Sequence, residues 1–244
     1  MQQPIYLGCA GWSLSREHWP AFPISGTHLQ RYAAQLPAVE INSSFYRPHR
    51  LATYVRWAQS VPGGFRFSLK LPKHITHGLR LRDCAGALGE FLAQCSGLGE
   101  ALGCLLIQLP PSLAFDPVIA QEFFSLLRTQ YTGLAVLEPR HLSWLNANDL
   151  LVNYQIGRVA ADPSPIEGGE RPGGWQGVRY YRLHGSPRIY YSAYPTPWLN
   201  DFAQRLRVEL DEGVPVWCIF DNTASGAAME NVLQLQAFLA GHTL

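Results

Sequence analysis

Charge is scarce and almost balanced in this chain. Acidic and basic side chains make up 15% of its 244 residues, and the formal net charge is +1. A strongly basic nucleic-acid-binding surface is thereby excluded, leaving room only for a local patch. Lysine is nearly missing: 17 of the 19 basic residues are arginine, and the other two are Lys70 and Lys73. Arginine favours forked contacts to carboxylates and phosphates, and biased genome composition produces the same excess. The five cysteines (Cys9, Cys84, Cys95, Cys104 and Cys218) are odd in number and contain no C-x-x-C pair. A disulfide framework and a zinc ribbon are both disfavoured. No apolar stretch approaches the length of a membrane span, so no membrane partner is expected. Met1 to Pro4 is too short and polar to open a secretory leader. A cytoplasmic setting is expected. No linker divides the chain, so residues 1–244 are expected to form a single domain.

What the chain does have is eight short apolar runs that stop abruptly at polar or charged residues. They are Ile5 to Gly11, Ala38 to Asn42, Phe65 to Leu71, Gly103 to Pro110, Leu134 to Arg140, Arg158 to Pro163, Tyr180 to Gly185 and Pro215 to Asn222. Their starts lie roughly 22 to 38 residues apart, and most are separated by a stretch of helical period, as in repeated βα units. Runs such as LLIQL and VWCIF are continuously apolar, as strands covered on both faces are. The expectation is an α/β fold, a TIM-type (β/α)8 barrel. Helices are expected over His28 to Leu36, Ala52 to Val61, Asp83 to Leu98, Pro117 to Gln130, Leu145 to Gln155, Pro197 to Asp211 and Gly226 to Ala240. The sixth unit, Asp162 to Gly177, is too rich in glycine and proline for a helix, so a loop is expected in its place.

In such barrels the C-terminal strand ends carry the chemistry. Here they would bring together Trp12; Glu40, Asn42 and Tyr46; Lys70 and His77; Gln108; Glu138 and Arg140; Asp162; Arg182 and His184; and Asp221 and Asn222. Side chains alternate along a strand, so Glu40 and Asn42 share a face, as do Glu138 and Arg140, and Arg182 and His184. A buried Glu138 or Arg182 needs a partner or a ligand.

At these residues the sequence resembles the YecE-like, DUF72 family. The matching pieces are GCAGWS (Gly8 to Ser13), EINSSFYRP (Glu40 to Pro48), WAQSVPGGFRFSLK (Trp57 to Lys70), ITH (Ile75 to His77), IQLPPS (Ile107 to Ser112), LEPRHLSW (Leu137 to Trp144), RLHGS (Arg182 to Ser186) and FDNTASGAAMEN (Phe220 to Asn231). The resemblance implies a TIM-type barrel and brings no established reaction. A further analogy, to the xylose-isomerase and endonuclease-IV barrels, concerns the fold alone. The sequence departs from the family pattern twice. Cys9 stands where a hydroxyl residue is expected, and Asp221-Asn222 stands where two amides are expected.

The chemistry expected of these groups is acid–base hydrolysis of an anionic ligand: a phosphorylated sugar, a nucleotide or a nucleic-acid end. Glu40, Glu138 and His184 are the candidate proton carriers. Arg140, Arg182 and Lys70 would bind the anion, and Asn42, Gln108 and Asn222 would orient it. The structural alternative pairs Glu138 with Arg140 or Arg182, and Glu40 with Lys70. Lys70 could form a Schiff base if burial depressed its pKa, against the pull of nearby carboxylates. Trp12, Phe45, Tyr46, Trp144, Tyr190 and Tyr194 could stack a base or sugar ring, with packing between loops as the alternative. A metal among Glu138, Asp162, His184 and Asp221 is disfavoured by the cations on the same rim, and no cofactor is indicated. Two other functions remain open: a non-catalytic binder of nucleic acid or a metabolite, and a metal-dependent phosphodiesterase. Nothing in the sequence indicates an oligomeric state.

Overall fold

The computed structural model describes residues 5–241. Met1 to Pro4, read above as unlike a leader, lie outside the described residues. Seven of the strands are parallel and follow the expected runs: β1 (Ile5–Cys9), β2 (Ala38–Ile41), β3 (Arg66–Lys70), β4 (Leu102–Gln108), β5 (Ala135–Glu138), β9 (Arg179–Leu183) and β10 (Val216–Phe220). The sixth run, expected from Arg158, begins two residues earlier and is split at Val159 into β6 (Ile156–Arg158) and β7 (Ala160–Asp162). The remaining strand, β8 (Gly173–Gly174), pairs antiparallel with β6. It lies in the glycine-rich segment between β7 and β9.

Hydrogen bonding gives two sheets, ordered β1-β10-β9-β7 and β2-β3-β4-β5-β6-β8. The continuous ring of strand pairing expected for a barrel is not formed. The sheets adjoin at two places. Residues 156–162 serve both, β6 pairing with β5 and β7 with β9. On the other side, a single parallel bridge joins Ala10 to Glu40, with the Gly11 N–H donating to the Glu40 carbonyl at 3.0 Å. Gly8 permits this approach of β1 to β2: a Cβ there would stand 2.0 Å from the Ala38 carbonyl oxygen.

Helices follow the strands: α1 (His28–Ala33), α2 (Leu51–Gln59), α3 (Ala85–Cys95), α4 (Pro117–Gln130), α5 (Asn148–Asn153), α6 (Thr196–Asp211) and α7 (Ala227–Leu239). Thr27 caps α1 in a capping box with Gln30. Asp116 caps α4, and Pro117 occupies its first turn. The expected fifth helix is shortened, because Leu142–Ala147 winds as a 3-10 turn before α5 begins.

Strand alternation divides the interior in two. Val39, Phe67, Leu105, Leu137, Cys218 and Phe220 face the helices in the larger core. Ala38, Cys104, Leu106, Val136, Tyr180, Trp217 and Ile219 form a separate apolar cluster drawn from both sheets. Gly103 gives Trp217 its room, since a Cβ there would meet the indole at 2.6 Å.

Candidate functional site

Two residues beyond that apolar cluster, the same strands turn ionic. Ala38 is followed on its face by Glu40, Val136 by Glu138, Tyr180 by Arg182 and His184, and Ile219 by Asp221. Arg182 is fully buried, and its guanidinium is the hub. Its Nε and Nη2 fork onto Glu40 at 3.0 and 2.8 Å. Nη1 donates to Glu138 at 2.6 Å, and Nη2 also donates to Asp221 at 2.9 Å. His184 lies between two of these carboxylates, with Nδ1 3.0 Å from Asp221 and Nε2 3.2 Å from Glu138. Arg140 completes the group with an Nη2 contact to Glu138 at 2.5 Å.

The titration of each group follows from these contacts. Burial alone would raise the carboxyls of Glu138 and Asp221. The guanidinium of Arg182 and the imidazole of His184 outweigh it and hold both below the usual carboxylate range, Glu138 by the wider margin with help from Arg140. Burial would also strip the proton from His184. Its hydrogen bonds to Asp221 and Glu138 prevail, so its pKa is raised. Both ring nitrogens face carboxylates, so the protonated form of His184 donates from each. In that form three carboxylates face three cations, Arg182, Arg140 and His184, and the cluster is neutral by itself.

Glu40 and Glu138, the expected acid/base pair, are therefore ion-paired and have no exposed surface. The structural alternative is correct in kind and wrong in one partner: Glu40 pairs with Arg182, not with Lys70. Tyr180 and Ser68, not anticipated as site residues, extend the network. The Tyr180 hydroxyl donates to Glu40 at 3.0 Å and lies 2.7 Å from the Ser68 hydroxyl, which completes the chain as donor. Both lie two residues before an expected site residue, so strand alternation marks them.

Above the cluster opens a cavity of about 530 Å³. Of the expected residues, its wall includes Asn42, Tyr46, Lys70, His77, Gln108 and Asp221. Lys73, Tyr190 and Tyr191 line it too. Gln108 links cavity and cluster, lying 3.4 Å from both oxygens of Glu138. The Asn42 side-chain oxygen is buried without a hydrogen-bond partner in the protein. Lys70 is 4% exposed and forms no ion pair with any described residue. Its ammonium stands 4.1 Å from the centre of the Phe45 ring. Burial and then the Arg182 charge lower its pKa to about 8, against the opposing pull of Glu40, Glu138 and Asp221. His77 packs edge-on against Phe45, and its Nδ1 is 2.8 Å from the Thr76 hydroxyl. Burial, then Lys70, Lys73 and Arg140, lower its pKa, which leaves it neutral at pH 7.

Three expected residues are placed elsewhere. Trp12 packs edge-on against Trp57. The Asp162 carboxylate accepts from the Tyr194 hydroxyl at 2.9 Å. The Asn222 amide donates to the Ser192 carbonyl and to Asn231, fixing a loop. Asn231, on the helix expected from Gly226 to Ala240, is a further buried polar residue; a polar side chain among apolar neighbours is the sequence sign for it. Among the described residues no three His, Cys, Asp or Glu side chains are grouped to hold a metal ion. Of the carboxylates considered for that role, Glu138 and Asp221 accept from Arg182 and Asp162 accepts from Tyr194. A second cavity of about 370 Å³, lined in part by Ser13, Ser15, His18 and Ser225, opens beside the first strand.

Parallel strands, helices between them and ionisable groups gathered at strand ends place this chain in the α/β class. Residues 6–243 match the family described as "Protein of unknown function DUF72". The chain belongs to that family. It is 34% identical over 106 residues to the UPF0759 protein YecE of Escherichia coli strain K12, covering 43% of this chain and 38% of that protein. It is 31% identical over 72 residues to the UPF0759 protein YunF of Bacillus subtilis strain 168, covering 30% and 26%. The aligned stretches thus span well under two thirds of these relatives. The fold is similar to crystal structures of two DUF72 family proteins. One, from Enterococcus faecalis V583, has a TM-score of 0.81 at 20% identity and covers 99% of this chain and 97% of that one. The other, from Thermotoga maritima MSB8, has a TM-score of 0.75 at 25% identity and covers 97% and 99%.

Proposed function

We propose that the cavity above the ionic cluster binds a small anionic molecule and moves protons on it. The observation that carries this reading is the placement of Lys70 and Lys73. They are the only lysines of the chain, and both line this one cavity. When His184 is protonated the cluster beneath is neutral in itself, and Lys70 is then an uncompensated buried cation, which a bound anion would complete. The unpartnered oxygen of Asn42 and the amide of Gln108 supply orienting contacts.

Proton transfer falls to the groups at the cavity wall. His77 is a neutral imidazole able to accept a proton, and Lys70 is an amine able to release one near neutral pH. Hydrolysis is one use of this pair, with His77 taking the proton of an attacking water. In this reading Glu40, Glu138, His184, Arg140 and Arg182 hold the floor of the site in register. The two sheets are read as arcs of one (β/α)8 barrel, with residues 1–244 acting as one unit. Arg182 of one sheet reaching Glu40 and Glu138 of the other supports this. The five thiols are free and buried, in keeping with a reducing, cytoplasmic setting. No helix among the described residues is long and apolar enough to cross a membrane.

Exposed Tyr46, Tyr190 and Tyr191 at the mouth favour a second reading, a binder of ring-bearing ligands such as single-stranded nucleic acid. Calorimetric titration separates the two. Inorganic phosphate, oxalate and sugar phosphates should bind wild-type protein and lose at least tenfold in affinity with Lys73→Ala. Affinity confined to oligonucleotides, with a steep salt dependence, would replace the first reading with the second.

A further inference from the structure

We propose that Lys70 is a covalent catalyst: its amine attacks the carbonyl carbon of an anionic aldehyde, ketone or 2-oxo acid and holds the molecule as an imine. This rests on the reading of the cavity as an anion site and names its substrate class.

Three features of the geometry support it. First, the carboxylates that would otherwise fix a buried ammonium are already engaged. Glu40, Glu138 and Asp221 each accept from Arg182, at 2.8, 2.6 and 2.9 Å. Second, the amine has an apolar face on one side, the Phe45 ring at 4.1 Å, and the cavity on the other. The ring face attracts the ammonium, whereas burial and the neighbouring Arg182 charge favour the neutral amine, the form that attacks carbonyls. With a pKa of about 8, roughly one amine in ten is unprotonated at pH 7, against a far smaller fraction for an ordinary lysine. Third, the chain uses arginine almost everywhere. Arginine would grip an anion better, through its fork, but it does not give up its proton. Lysine at this wall points to chemistry that needs a free amine.

The step balances as follows. The Nζ lone pair forms the N–C bond, the C=O π pair moves to oxygen, and that oxygen takes one proton from solvent to give a carbinolamine. His77 accepts the departing N–H proton and returns it to the leaving hydroxyl. One C=N bond and one water result, with no change of oxidation state. The nitrogen keeps its other hydrogen, so the imine is formed protonated and carries the charge taken up from solvent. Lys73 pairs with the carboxylate or phosphate of the bound molecule.

Reductive trapping tests the assignment. Wild-type protein is incubated separately with glyoxylate, pyruvate and dihydroxyacetone phosphate in the presence of cyanoborohydride, and adducts are mapped by peptide mass spectrometry. With at least one probe, labelling of Lys70 should be about tenfold faster than that of Lys73 or the N-terminal amine. Lys70→Arg keeps the charge and cannot condense. It should bind oxalate, which has no reactive carbonyl, while accepting no adduct at position 70. Oxalate binding by wild type with no Lys70 adduct from any probe overturns the covalent role and leaves the anion site standing. Absence of both oxalate binding and adduct overturns the two together. Equal labelling of Lys70 and Lys73 also overturns it, by showing surface chemistry.

Discussion

On β2, Ala38 and Glu40 point the same way and are both fully buried, yet their surroundings are opposite. Ala38 belongs to an apolar cluster with Val136, Tyr180, Trp217 and Ile219. Glu40 is held by a guanidinium. The same change occurs from Val136 to Glu138 on β5 and from Ile219 to Asp221 on β10. Two residues of strand, about 6.6 Å, separate a region stabilised by loss of water contact from one stabilised by charge pairing. The lower region is indifferent to pH and needs only shape and volume. The upper region holds three anions out of water only because three cations meet them. It is therefore a place where chemistry can be supported at the expense of robustness.

The largest test of this contrast is removal of the hub. Arg182→Ala leaves buried carboxylates unpaired and should lower unfolding free energy by about 3–5 kcal/mol, measured by urea denaturation at pH 7. A loss under about 1 kcal/mol would mean that Arg182 does not hold the layer together. Lys70→Met should have the opposite sign. Removing an uncompensated buried cation should stabilise the protein by about 1–3 kcal/mol at pH 7 while abolishing oxalate binding. The folded-state pKa of Lys70 is lowered from 10.5 to about 8, so the unfolded chain binds more protons between those values. Wild-type stability then rises with pH across that window, and the advantage of Lys70→Met should shrink there.

Tyr180→Phe lies on the boundary between the two regions. It deletes the donor to Glu40 and the acceptor of Ser68, and should cost about 1–2 kcal/mol. His184→Gln should cost about 1 kcal/mol at pH 6 and less at pH 9. Its folded pKa is raised above 6.5, so its contribution is full below that value and is lost as pH climbs through the folded pKa. Glu138 and Asp221 have lowered pKa values, so their contribution is present above the ordinary carboxylate range and disappears on acidification. The smallest effect belongs to the apolar region. Ile219→Val should cost about 0.5–1.5 kcal/mol, unchanged between pH 6 and pH 9. A pH-dependent cost would show that the two regions are not separate.

Much of this was readable in the sequence, for a local reason. Strand alternation operates over two residues, so Arg182 and His184, or Glu138 and Arg140, share a face whatever the rest of the chain does. The helix over Pro117–Gln130 was equally plain, because Asp116 and Pro117 mark its start. What stayed hidden was long-range choice. Arg182 and Glu40 lie 142 positions apart, and nothing local says that Glu40 prefers this guanidinium to the nearer ammonium of Lys70. That preference arises where two sheets face each other across the interior. The continuous barrel pairing expected from eight runs likewise depends on edges meeting, and β1 and β2 meet through one bridge.

All five thiols are enclosed, and burial pushes Cys84 up to about 11 and Cys9 up to about 12. The folded molecule should therefore be silent towards maleimides and disulfide reagents. A cysteine installed at the exposed Tyr46 would be the unique site for a fluorophore at the cavity mouth. Any reaction of the native thiols would in turn time the opening of the segment that encloses each one.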